Sequence, residues 1–359
     1  MRLPLTRTRG VTALARLASS FFACQPRCAP PARRLAMSAA PPPAMSAHEK
    51  FLFDLNGYIV VRDVFSADEV AAANAAIDAH AGKLCAREAA ALRNTLDGSP
   101  HSASGPRLDM GGFLGWPKPH CDVFRSVLAH PRLVPYINEL CGEGYRLDHQ
   151  PLIVAQNKGS EGFSLHGGPI SGDDGQPKPK FNSELQYRSV NGELWTSLLA
   201  VSVHLVDHGP GDGGFCIVRG SHKLNFPVPV DVANGLAPGF EEHLHHPVTK
   251  AGDVVIWSEA TVHGATPWLA ERQRRFVLYR FSPANMGYGR GYTELPSNFY
   301  DGMTPLQLAV VQPPYATRLE RSIVTAEAAR DRPEEAAPVK VRSAAKKAFD
   351  KDLFGTNFF

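Results

Sequence analysis

From Tyr145 onward the chain is a succession of short β-type runs: YRLDHQPLIVAQN, SLLAVSVHLVD, GFCIVRG, AGDVVIWS and RRFVLYRFS. Gly, Pro and Asp stand between them. β-Branched and aromatic residues at this density favour a pleated, half-buried surface, and the breakers prevent any run from extending into a long helix. Several short strands with turn signals between them predict an all-β sandwich or barrel. The part before Tyr145 differs. LNGYIVVRDVF alternates around Tyr58–Val61 and predicts a strand. SADEVAAANAAIDAHAGKL places Ser66 and Glu69 at capping-box spacing ahead of strong helix formers. Residues 91–120, rich in Gly, Pro and Ser, read as a long loop. CDVFRSVLAHPRLVPYINELCG reads as two short helices broken at Pro131.

The first 48 residues contain no Asp or Glu, while seven arginines alternate there with Leu, Ala and Ser. That is the composition of an organelle transit peptide, and a secretory signal would need a longer apolar core than Arg16 allows. Residues 1–46 are therefore expected to be a transit peptide or disordered leader, mitochondrial rather than plastid. A working start at Met37 or Met45 is the plain alternative. The terminal GTNFF is no peroxisomal address. Residues 47–325 form the predicted folded domain, and 326–359 a helical or loose tail. The leader's seven arginines exceed the net charge of +3, so the body is near neutral, on the acidic side, and suggests no nucleic-acid partner. No apolar run is long enough for stable membrane insertion. Six cysteines without a C-x-x-C pair read as reduced thiols.

Two histidines stand where β-runs end. His166 follows the run in FSLHGGPISGDDG, and His263 follows the predicted strand Val254–Trp257 in AGDVVIWSEATVHGATPW. Paired histidines at strand ends of a β-rich domain suggest the 2-His-1-carboxylate triad of non-haem Fe(II), in which open positions take 2-oxoglutarate and O2. The keto acid's far carboxylate needs a cation, and Arg suits it because its planar fork binds a carboxylate through two hydrogen bonds. In RRFVLYRF, Arg274, Phe276, Leu278 and Arg280 share one face; Arg275, Val277, Tyr279 and Phe281 share the other. Periodicity does not say which face looks inward.

These residues carry a resemblance. NGYIVVRDVFSADEV, LVDHGPGDGGFCIVRGSHK and AGDVVIWSEATVHGATP are similar to segments of the phytanoyl-CoA dioxygenase family of Fe(II)/2-oxoglutarate oxygenases, over residues 51–282. The resemblance implies a mainly β, double-stranded β-helix (jelly-roll or cupin-like) core with flanking α-helices. It implies Fe(II) and the cosubstrate 2-oxoglutarate, with His166 and His263 on the metal. Arg274, eleven residues beyond His263, would be the cosubstrate clamp. The implied reaction is hydroxylation of an unactivated C–H in a small organic substrate with O2.

The chain departs from the family at its proximal site. His-x-Asp becomes His166-Gly167-Gly168, and Ala265 stands where relatives often carry Ser. Three fillings of the gap are open: Asp173 or Asp174 curling back, water or a halide, or loss of iron. A halide would give a halogenase, because oxoglutarate-dependent halogenases carry Gly or Ala here. Loss of iron would leave a binding module. The rest read as bland: His243, His245 and His246 as a solvated loop, His222 and Lys223 as packing and turn residues, Asp207 and Asp212 as turn formers.

Overall fold

The folded body begins at a built helix end. Ser46 caps α1 (Ala47–Asn56): its hydroxyl accepts from the Glu49 amide, and the Glu49 carboxylate accepts from the Ser46 amide. Met45, one residue earlier, is buried. The computed structural model describes residues 44–171, 180–288, 294–315, 320–335, 337–339 and 342–355, all within one unit spanning Pro41–Phe359. Nearly all of the expected leader lies outside the described residues. α2 (Ala67–Ala79) starts at the predicted Ser66–Glu69 capping box. α3 (Asp122–Ser126) and α4 (Val134–Cys141) are the two short helices expected on either side of Pro131. None of the helices among the described residues is long and apolar enough to cross a membrane.

In chain order the strands are β1 (Tyr58–Val61), β2 (Cys85–Ala86), β3 (Leu108–Met110), β4 (Arg146–Leu147), β5 (Leu152–Gln156), β6 (Phe163–His166), β7 (Ile170–Ser171), β8 (Lys180–Phe181), β9 (Tyr187–Val190), β10 (Glu193–Thr196), β11 (Leu199–His204), β12 (Gly214–Val218), β13 (Leu244–His245), β14 (Val254–Ser258), β15 (His263–Thr266) and β16 (Arg274–Ser282). The larger sheet runs β1-β14-β11-β16-β5-β3-β2, with β4 also on β16. The smaller runs β13-β12-β15-β6. Every pairing in both is antiparallel. The architecture is mainly β, a jelly-roll core with flanking helices.

One expectation fails at 91–120, which is not loop throughout. Leu108–Met110 pairs with Ile153–Ala155, and Phe113–Gly115 makes a 3-10 turn. Three residues between glycines are too few to show a strand period, so only sheet pairing reveals β3.

The larger sheet separates its two faces by parity. Val201, Val203, Val254, Ile256, Val277, Tyr279 and Phe281 join the main core with Phe53, Ile77, Leu128 and Ile137 from the helical side. Ala200, Val255 and Trp257 point the other way and pack on Phe215 and Ile217 of the smaller sheet. The alternation is that of strands buried on both sides. It settles the face of β16, because the even-numbered residues look between the sheets. Beyond the barrel, Ala326–Asp331 is a helix that buries Ala328 and Ala329 in the main core. Ala344–Phe354 is a helix whose buried Asp350 pairs with Lys346 and Arg342.

Candidate active site

His166 ends β6 and His263 begins β15, and the two strands are neighbours with these residues opposed. The pairing shifts register between His263 and Ala265, which turns the two rings toward each other. Their centroids are 4.2 Å apart. Each ring is fixed by its own backbone: His166 Nδ1 donates to Ser164 O at 3.0 Å, and His263 Nδ1 donates to Thr261 O at 2.7 Å. With Nδ1 protonated in both, each Nε2 carries a lone pair, the state a metal-ligating imidazole needs. Burial, with His263 adding to it, pushes His166 down to about 3. Burial also lowers His263. Both rings are thus neutral at ordinary pH.

A carboxylate from a different segment lies beside the two rings. Glu259 follows β14 in the turn before His263, and its Oε2 lies 3.4 Å from His263 Nε2. Its Oε1 accepts from Arg280 Nε at 2.7 Å. Burial would raise the Glu259 carboxyl, but above all the Arg280 guanidinium holds it down at about 2, so it is ionised. One ligand atom each from His166, Glu259 and His263 lies within 4.8 Å of the others. Two neutral nitrogens and one carboxylate oxygen suit Fe(II). Of the carboxylates expected for this role, Asp173 and Asp174 lie outside the described residues. The sequence did carry a signal for Glu259: it is the lone acid in VVIWSEATVHG, four residues before His263.

Gly167 and Gly168 have a structural part here. Both have positive φ, +100° and +94°. Gly168 N donates to Ala260 O at 3.0 Å. A Cβ on Gly167 would stand 2.6 Å from Thr261 O and 2.9 Å from Glu259 O. The double glycine lets the end of β6 lie against the very turn that carries Glu259.

Between the sheets lies a cavity of about 290 Å³, walled by His166, His263, Trp257, Phe276, Arg274 and Arg280 among others. Arg274 and Arg280 are therefore both on the inward face of β16. Arg274 is 4% exposed. Its Nη1 donates to Gln156 Oε1 at 2.5 Å, its guanidinium lies 4.3 Å from the Phe276 ring centre, and its Nε has no partner among the described residues. No ion pair joins it to a carboxylate among the described residues. Asp109 is shared by Arg87 and Arg107 instead. Burial and then the neighbouring Arg107 push Arg274 down to about 9, leaving it a cation at neutral pH with no paired carboxylate among the described residues. Arg275, on the opposite face, pairs with Asp78 of α2 at 2.7 Å.

The other histidines lie apart from this set. His245 is not in a solvated loop as expected. It sits in β13 opposite Ile217, and His246 beside it has a buried Nδ1. The β13 edge takes up Leu244 and His245, with Leu244 opposite Val218 and packed on the same cluster. His222 is buried, packs edge-on against Tyr187 and contacts the Asp54 carbonyl, while Lys223 pairs with Asp54. Asp207 and Asp212 cap turns at the Ala251 and Gly209 amides.

A family model described as phytanoyl-CoA dioxygenase (PhyH) matches residues 53–276. Among solved structures, HygX from Streptomyces hygroscopicus with nickel, 2-oxoglutarate and hygromycin B bound is similar at a TM-score of 0.54 and 22% identity, over 71% of this chain and 94% of HygX. The iron-bound HygX structure matches at a TM-score of 0.52 and 20% identity, over 72% of this chain and 95% of HygX. At such identity the likeness shows the fold. No curated protein matches the chain.

Proposed function

The chain belongs to the phytanoyl-CoA dioxygenase family, and from that premise we propose that it is an Fe(II)/2-oxoglutarate-dependent oxygenase hydroxylating an unactivated C–H of a small organic substrate. The observation that carries the reading is the pairing of two features in one cavity. Two imidazoles with fixed Nε2 lone pairs stand beside a carboxylate, and a buried arginine stands without a counter-charge among the described residues.

In this reading His166, His263 and Glu259 hold the metal. Their backbone partners Ser164 and Thr261 keep both rings in the ligating tautomer, so no proton has to leave an imidazole on loading. Arg274 receives the far carboxylate of 2-oxoglutarate, with Gln156 fixing the guanidinium plane. Bound there, iron with O2 and 2-oxoglutarate supplies the oxidising power for the C–H step, and the keto acid leaves as succinate and CO2. Trp257, Phe215, Phe276 and Leu278 give the cavity apolar walls that exclude water from the reacting carbon. HygX is crystallised with nickel and 2-oxoglutarate in the same fold, which supports the pairing of metal and keto acid.

The halogenase alternative rests on Gly168 alone. Glu259 argues against it, since an ionised carboxylate beside the imidazoles repels a halide. Aerobic incubation with Fe(II) and 2-oxoglutarate tests the main reading. Oxygen-dependent succinate release is expected, slow without substrate. Its absence in a folded, iron-loaded protein would leave a binding module.

For location we propose the mitochondrion. Met45 is buried and Ser46 caps α1, so cleavage before Met45 leaves the body intact. A native protein retaining Met1 would refute this.

A further inference from the structure

Glu259 presents its two oxygens to two different neighbours. Oε1 takes the Arg280 Nε hydrogen at 2.7 Å, and Oε2 alone faces His263 at 3.4 Å. The arrangement depends on the glycines that follow β6. A side chain at 167 would collide with the backbone of the 259–261 turn, so the chain that lacks a carboxylate at 168 is also one in which that turn can approach.

Coordination number gives the arrangement a consequence. Six-coordinate iron held by two imidazoles and one carboxylate oxygen keeps three positions: two for a chelating keto acid and one for a gas molecule. A carboxylate binding through both oxygens would take the last of these.

We infer that Glu259 is the third protein ligand, replacing the carboxylate Gly168 lacks, and that Arg280, by occupying Oε1, confines Glu259 to a single metal-facing oxygen. The inference rests on the iron-and-oxoglutarate reading above. Arg280 is a positioning residue here, acting through Glu259. The charge-assisted bond at 2.7 Å is strong enough to compete with a second metal–oxygen contact, and a neutral donor would be weaker.

The test uses the full chain loaded anaerobically with Fe(II) and 2-oxoglutarate, then exposed to nitric oxide as a probe of the gas position. The parent should show the visible metal-to-ligand charge-transfer band and a strong high-spin iron–nitrosyl EPR signal. The nitrosyl signal should not move with excess chloride, because nitric oxide then holds the one position that the three protein ligands and the chelating keto acid leave. Glu259→Gln should lower Fe(II) affinity by at least about tenfold. Arg280→Gln should keep the charge-transfer band but lose most of the nitrosyl signal, as Glu259 closes on the metal with both oxygens. Arg280→Lys, which keeps a cation, should restore it. A chloride-shifted nitrosyl signal in the parent, or unchanged Fe(II) affinity in Glu259→Gln, would overturn the assignment of Glu259. An undiminished nitrosyl signal in Arg280→Gln would overturn the role of Arg280. The chloride measurement needs no variant, so it stands even where a substitution unfolds the protein. A parent that shows no charge-transfer band at all contradicts the functional reading instead.

Discussion

Arg274 and Arg280 sit on the same face of the same strand and wall the same cavity, yet they are in opposite electrostatic states. Arg280 has its anion built in: Glu259 lies 2.7 Å away. Arg274 is more deeply buried, and its hydrogen-bond partner among the described residues is the neutral Gln156. Burying an uncompensated cation costs several kcal/mol in real proteins, a cost that persists only where something repays it. The two ends of the cavity thus teach different things. A buried arginine with a protein carboxylate organises the protein's own groups. A buried arginine without one marks where a ligand's carboxylate belongs.

The comparison breaks first at Arg274. Arg274→Ala should weaken 2-oxoglutarate binding by about a hundredfold or more, on the scale of 2–5 kcal/mol for truncating one partner of a buried charged pair. Fe(II) binding without the keto acid should stay within about threefold, since Arg274 touches none of the metal ligands. Titration calorimetry with each component separates the two.

Next comes the glycine pair that underlies the Arg280 end. Gly167→Ala meets both a positive φ and carbonyl oxygens at 2.6 and 2.9 Å. It should cost about 2–3 kcal/mol in chemical denaturation and weaken metal binding with it. Gly168→Ala has a similar φ, but its nearest neighbours are at 3.8 Å. It should cost only about 1 kcal/mol. Equal losses would mean that packing on the 259–261 turn does not matter.

The Arg274 end also has a pH signature. His204, His208 and His246 feel its charge, each lowered first by burial and also by Arg274. His208 is pushed down to about 4. The unfolded chain binds this proton below about 6.5 and the folded chain does not, so stability falls as pH drops from about 6.5 toward 4. At pH 5 one such histidine costs about 2 kcal/mol. His208→Gln should make the loss of melting temperature between pH 7 and pH 5 visibly smaller. An unchanged slope would show that His208 titrates normally.

The smallest effect is expected from the outward neighbour. Arg275→Ala removes a half-exposed pair with Asp78 and should cost less than about 1 kcal/mol, with 2-oxoglutarate binding unchanged. If it instead mimics Arg274→Ala, the assignment of the β16 faces is wrong.

Much of the fold could be read from the chain because its signals are local. Ser66 and Glu69 announce α2, Pro131 separates two helices, and the RRFVLYRFS run is one strand. His166 and His263 are legible for the same reason: each follows a recognisable strand. Glu259 is harder, because its role arises only when β6 and the turn after β14 meet, a juxtaposition set by Gly167 and Gly168 across the sheet. The inward face of β16 is likewise undecided by period 2 alone. It needs the partner strands, which place Val277 and Tyr279 under the helices and leave Arg274 and Arg280 to the cavity. β3 was missed because three residues carry no period.

The central claim is that one cavity binds metal at the His166–Glu259–His263 end and the keto acid's far carboxylate at Arg274. Anaerobic titration of the Fe(II)-loaded protein with 2-oxoglutarate tests it most directly. A visible charge-transfer band that saturates at one equivalent in the parent, and that Arg274→Ala forms only at far higher 2-oxoglutarate, is the predicted result. A folded, iron-loaded parent whose spectrum 2-oxoglutarate leaves unchanged would contradict it.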